Sequence, residues 1–170
     1  MTRPKLDAEP LKQMFLGLID RDASNLAEDR MHVIGRYSFE NYILDPLNIF
    51  CFLLEEGTSP PVAGLSISSG DEHLLRTQPK HILQIVSNHI TDAVESTEPN
   101  IKTMGHSSVT YTTGLEIVVP SWVIDHRGHN LLPIIQATFG GPRILTPRRL
   151  LKTLRRGRLI PIELAHVLRV

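Results

Sequence analysis

Residues 14–46, MFLGLIDRDASNLAEDRMHVIGRYSFENYILDP, decide how the rest of the chain is read. An apolar run from Met14 to Ile19 ends in Asp20-Arg21-Asp22, and a second, Met31 to Ile34, runs into Gly35-Arg36-Tyr37-Ser38-Phe39-Glu40-Asn41-Tyr42. The pattern predicts two successive strands, Phe15 to Ile19 and His32 to Ile34, each presenting polar side chains at its C-terminal end. Open α/β sheets place ligands at such ends. Two carboxylates at i and i+2 of an extended chain point to one side, so Asp20 and Asp22 could share a hard divalent cation such as Mg²⁺. The alternative for the pair is two acids that end a strand at the surface. Arg21 between them faces the other way, as a salt-bridge or packing residue.

Arg36 and Glu40 have two readings as well. A guanidinium pairs with phosphate oxygens in fork geometry, and Glu40 near the aspartates would add a metal ligand. The competing reading is an Arg-Glu ion pair at a helix start, with Asn41 satisfying free backbone donors. Ser38 stands where an N-cap belongs, and Asp45-Pro46 restarts a helix over Leu47 to Leu54, which Gly57 ends.

LIDRDASN followed by RYSFENYILDP resembles the Toprim-like module of overcoming-lysogenisation-defect (OLD) type proteins, which accompany an ABC-type ATPase. The resemblance covers about residues 14–56, and PSWVIDHRGHNLL and the closing helices also look familiar. It implies an α/β fold, a partial Toprim-like, Rossmann-type parallel sheet with helices followed by a mainly helical C-terminal part. It implies that Asp20 and Asp22 bind Mg²⁺, that Arg36, Glu40, Asn41 and Tyr42 start a helix, and that DNA and an ABC-type ATPase are candidate partners; with the chemical reading above, Asp20, Asp22 and Glu40 are the candidate catalytic set and Arg36 a candidate contact to nucleic acid or a partner. The family's catalytic glutamate lies on a strand ahead of Asp-x-Asp, and only Glu9, in a Pro-flanked polar lead, precedes Met14 here. The chain therefore reads as the C-terminal part of a larger protein. Residues 1–13 are a flexible lead, 14–125 the Toprim-like core, incomplete at its N-terminus, and 126–170 a basic helical part packed on it. The expected function is a Mg²⁺-linked module of an ATPase-associated DNA defence or repair protein, hydrolysing phosphodiesters only if the missing glutamate is supplied. The alternative is a non-catalytic interaction or regulatory piece.

Composition is that of an ordinary globular chain: 170 residues, 41% apolar, 21% charged. A lone cysteine, Cys51, cannot form an internal disulfide and suits a reducing, cytoplasmic setting. No apolar run approaches the roughly 18 residues of a membrane span, and MTRPKLDAEP lacks a signal peptide's apolar core. The net charge of zero hides a gradient. Lys and Arg number six against ten acids in residues 1–60, four against seven in 61–140, and eight against one in 141–170.

That basic tail is the second functional signal. On a helix beginning at Thr146-Pro147, Arg148, Lys152 and Arg155 share one side while Leu150, Leu151 and Leu154 form an apolar stripe. Such a face neutralises nucleic-acid phosphates or docks on the acidic remainder of the chain; the absence of stacking aromatics favours docking. Elsewhere the sequence predicts a loop over Thr58 to Gly70 with a short extended segment from Val62 to Ile67. After Pro79 comes an amphipathic helix with Ile82, Ile85, Val86, Ile90, Ala93 and Val94 on one face. Val109 to Thr113 and Leu115 to Val119 read as extended, split by Gly114, and helices are expected over Asn130 to Phe139 and Pro161 to Val170. His126 and His129 lack the companions of a zinc site. No G-x-x-x-x-G-K-[ST] loop is present, so ATP is not bound by that route.

Overall fold

The computed structural model describes residues 17–19, 21, 31–140 and 144–168. A helix, not a sheet, forms its centre. Asp45 caps that helix by accepting the Leu47 N–H at 3.1 Å, Pro46 takes the first helical position, and the helix α2, Pro46–Glu55, follows. Every residue from Pro46 to Leu54 is buried, because the sequence PLNIFCFLL has no polar face to turn outward. Gly57 takes φ 69° to leave it.

Around α2 the elements follow in chain order. The strands β1, Gly17–Ile19, and β2, Met31–Val33, precede a single-turn helix α1, Glu40–Ile43. A 3₁₀ segment, Glu72–Thr77, leads to α3, Lys80–Thr97, and a hairpin of β3, His106–Thr110, and β4, Glu116–Pro120. Then come α4, Trp122–Asp125, α5, Gly128–Phe139, α6, Pro147–Gly157, and α7, Ile162–Leu168. Helices α3 and α6 pack on α2, and α3 is backed by β4 and α5. Gln84 of α3 fastens the hairpin by donating to the Val118 carbonyl at 2.7 Å and accepting its N–H at 2.9 Å.

The Rossmann-type sheet implied by the resemblance does not form. Among the described residues the strands make two separate two-stranded sheets: β1 with β2, parallel, Leu18 opposite His32, and β3 with β4, antiparallel, Val109 opposite Ile117. The strands β1 and β2 have no second neighbour among the described residues, and the buried apolar side chains come mostly from helices instead. Val62 to Ile67 forms no strand.

The amphipathic helix stands where expected, with one exchange. Leu83 is fully buried beside Ile82, Val86, Ile90 and Val94, while Ile85 is exposed. On α6 the apolar stripe is Leu150, Thr153, Leu154 and Gly157, and Leu151 faces solvent at 44% exposure. Gly157 fits because α6 lies directly on α2: a Cβ there would meet the Cys51 sulfur at 2.8 Å. Burial pushes the Cys51 thiol up to about 12, so it is an inert core side chain at neutral pH.

Candidate functional site

Arg36 follows β2, and its side chain is wholly buried. A buried guanidinium persists only where its donors are met. It donates to the Asn41 carbonyl at 2.8 Å and to Asp45 Oδ2 at 2.9 Å, and it stacks 4.9 Å from the Tyr42 ring centre. Asp45 accepts on its other oxygen from Tyr111 at 2.8 Å, while the same carboxylate caps α2. Glu163, from α7, stands 3.9 Å from Arg36 Nε and accepts the Tyr42 hydroxyl at 3.3 Å. Arg36 Nε itself has no hydrogen-bond partner. Burial alone would lower the Arg36 pKa, but Asp45, Tyr111 and Glu163 outweigh it and the net shift is upward. Burial and then Asp45 hold the Tyr111 phenol well above its ordinary value, so it stays a donor.

This cluster joins four distant stretches: the entry to α1, the N-terminus of α2, the end of β3 and α7. It also corrects an expectation. Arg36 is spent on Asp45 inside the core and is not placed to contact nucleic acid or a partner. The Arg36–Glu40 pair is likewise not made; the ion-pair partners are Asp45 and Glu163.

Asn41 is committed too. Its amide donates to the carbonyls of Val123 at 3.0 Å and His126 at 2.9 Å, and its Oδ1 accepts from the Ser38 backbone and hydroxyl. The Tyr37 N–H meets the Ile124 carbonyl at 2.8 Å. The loop after α4 is thereby pressed onto residues 37–41, so closely that a Cβ on Gly128 would lie 2.4 Å from Ser38 Oγ and 2.6 Å from Glu40 Cβ. RYSFENYILDP and IDHRGHN are two halves of one joint.

Asp20 and Asp22 lie outside the described residues. Their neighbour Arg21 is described, and it pairs with the Asp125 carboxylate at the end of α4. The C-terminal end of β1 is therefore within one arginine's reach of a third carboxylate that the sequence reading passed over. Only IDHRGHN, already noted as familiar, pointed to it. Carboxylate oxygens are the donors a hard cation such as Mg²⁺ takes. Among the described residues no three His, Cys, Asp or Glu side chains gather into a metal cluster. Glu40 opens instead onto a groove of about 420 Å³, floored by Phe39, Ile43 and Leu132 and shared with His129 and Arg148.

The basic helix divides. Arg149 pairs with Glu56 and stacks 5.0 Å from Phe52, and Arg156 pairs with Glu55, so this part of α6 docks on the acidic end of α2. Arg148, Lys152 and Arg155 have no acidic partner among the described residues and are exposed. They do not form one site: Arg148 borders the apolar groove, and Arg155 borders a separate cleft.

No protein-family model, curated protein or solved structure matches this chain. Among the described residues no helix is long and apolar enough to cross a membrane.

Proposed function

We propose that this chain is a Mg²⁺-linked module of a DNA defence or repair protein that works beside an ATPase in the cytoplasm. Asp20 and Asp22 hold the ion, and phosphodiester hydrolysis is conditional on a further glutamate supplied to them. One observation supports the reading: β1 and β2 run parallel, so their ends at Ile19 and Val33 lie at one edge, and Arg21, two residues past Ile19, pairs with the Asp125 carboxylate. Bound Mg²⁺ would supply charge stabilisation at a phosphate and position a water. The ATPase partner rests on the sequence resemblance alone, and the reducing compartment on the lone, buried Cys51.

A non-catalytic role is the second reading. It is favoured by the fate of Arg36, Asn41 and Asp45, which are engaged in buried contacts with one another and with the core. Supercoiled plasmid incubated with the purified chain and 5–10 mM Mg²⁺, roughly the range that fills a weak site, tests whether hydrolysis is conditional. The expected result is little or no nicking. Robust Mg²⁺-dependent cleavage that Asp20→Ala abolishes would overturn the conditional part of the proposal and make the chain a nuclease in its own right.

A further inference from the structure

We infer that the cleft between the 3₁₀ segment Glu72–Thr77 and the C-terminal end of α6 is a binding site for the phosphodiester backbone of nucleic acid. The cleft has a volume of about 550 Å³. Glu72, His73 and Arg76 form one wall, and Arg155, Arg156 and Arg158 form the other. Four arginines from the two walls therefore border one space. Arg156 is held by Glu55, whereas Arg76, Arg155 and Arg158 have no acidic partner among the described residues. Glu72, the acid in the wall, is itself buried, and its carboxylate accepts the Gly70 N–H at 2.7 Å. That bond turns one of its oxygens to the loop backbone and leaves the arginines in excess.

Backbone conformation supports the same assignment. Arg158 adopts φ 54°, ψ 25° just past the end of α6, and it is the one described non-glycine residue with positive φ. Glycine is the residue that takes this position without strain. An arginine is held there against its preferred backbone, and the residue lines the cleft. The left-handed conformation is an ordinary way to end a helix, and non-glycine residues held in it also cluster at ligand-binding sites.

The chemistry of the walls selects the occupant. Guanidiniums recognise phosphate oxygens through paired N–H donors. A protein partner would need a desolvated apolar or aromatic anchor at the centre of its contact, and no apolar side chain lines this cleft. Among the described residues no Phe, Tyr or Trp lines the walls and His73 is the one ring there, so recognition is mainly of the backbone and largely independent of sequence. The site is separate from Asp20 and Asp22, and binding here needs no metal.

The test is fluorescence anisotropy of a labelled 20-base-pair duplex with the purified chain in EDTA, at salt from 50 to 200 mM. EDTA makes the result independent of the Mg²⁺ reading. Binding is expected to weaken with a log–log slope of about −2 to −3, as three unpaired arginines displace counterions. Arg158→Gly is the decisive variant, because it relieves the backbone: its melting temperature should hold or rise while affinity falls at least about tenfold. Arg76→Gln with Arg155→Gln should fall similarly, and Arg148→Gln, at the other groove, should stay within about twofold. Absence of binding at 50 mM salt would overturn the inference. So would equal loss in Arg148→Gln, or displacement of the duplex by polyglutamate at equal charge concentration, which would mark an acidic protein segment as the occupant.

Discussion

Arg36→Met lowers the stability of the chain by about 3–5 kcal/mol in urea unfolding, the usual effect of removing one partner from a buried ion pair. Asp45 then remains buried, with only Tyr111 and the Leu47 N–H to meet its charge. Asp45 is fully buried, and the Arg36–Asp45 contact at 2.9 Å has no exposed face, so water cannot replace the lost guanidinium. The double variant Arg36→Met with Asp45→Asn should lose less than the sum of the two single changes, since the uncompensated charge is gone. A loss below about 1 kcal/mol for Arg36→Met, the range of an exposed pair, would return Arg36 to the surface and to the ligand-binding role first expected of it.

Gly128→Ala should cost about 1–3 kcal/mol, the range for overpacking a tight contact. The added methyl group would enter a space where Ser38 Oγ and Glu40 Cβ stand closer than any Cβ tolerates. Relief requires the loop after α4 to lift from residues 37–41, breaking the Asn41 bonds to Val123 and His126. A melting temperature about 2–10 °C lower in a thermal scan is the expected readout for a chain of this size. An unchanged midpoint would show that the joint between the two segments yields without loss and does not fix the position of Asp125.

Local chemistry was legible in the sequence. Asp45-Pro46 and Thr146-Pro147 start helices because a short oxygen-bearing side chain followed by proline satisfies or removes the free N–H groups, and both side chains do accept from the first turn. Gly114 splits the hairpin at φ 80° for a reason visible in one residue. The amphipathic period of α3 was readable too, although Leu83 rather than Ile85 reaches the core, since the period sets a face and the neighbours set its centre. Sheet architecture was not legible. Two apolar runs ending in polar residues predict two strands, and β1 and β2 form, but nothing local gives the direction of their pairing or tells a pair from an open sheet.

The site was half legible for a similar reason. Arg36 declares a charge without declaring its partner, and the partners stand nine residues away at Asp45 and 121 from Tyr42 at Glu163. Asp125 was hidden because its tie to Arg21 spans 104 residues. The basic tail was visible as a block, but its division was not. Arg149 and Arg156 turn toward Glu56 and Glu55 while Arg155 and Arg158 turn to the cleft, a distinction that requires knowing where α2 lies.

The central functional claim is that Asp20 and Asp22 hold Mg²⁺, and isothermal calorimetry of the wild-type chain against MgCl₂ tests it most directly. A single weak site, with a dissociation constant on the order of 10⁻⁴–10⁻³ M, is expected, and its heat should vanish in Asp20→Asn with Asp22→Asn while the melting temperature in EDTA is unchanged. Mg²⁺ heats that are identical in the wild type and the double variant, or absent from both, would contradict the claim and leave the non-catalytic reading standing.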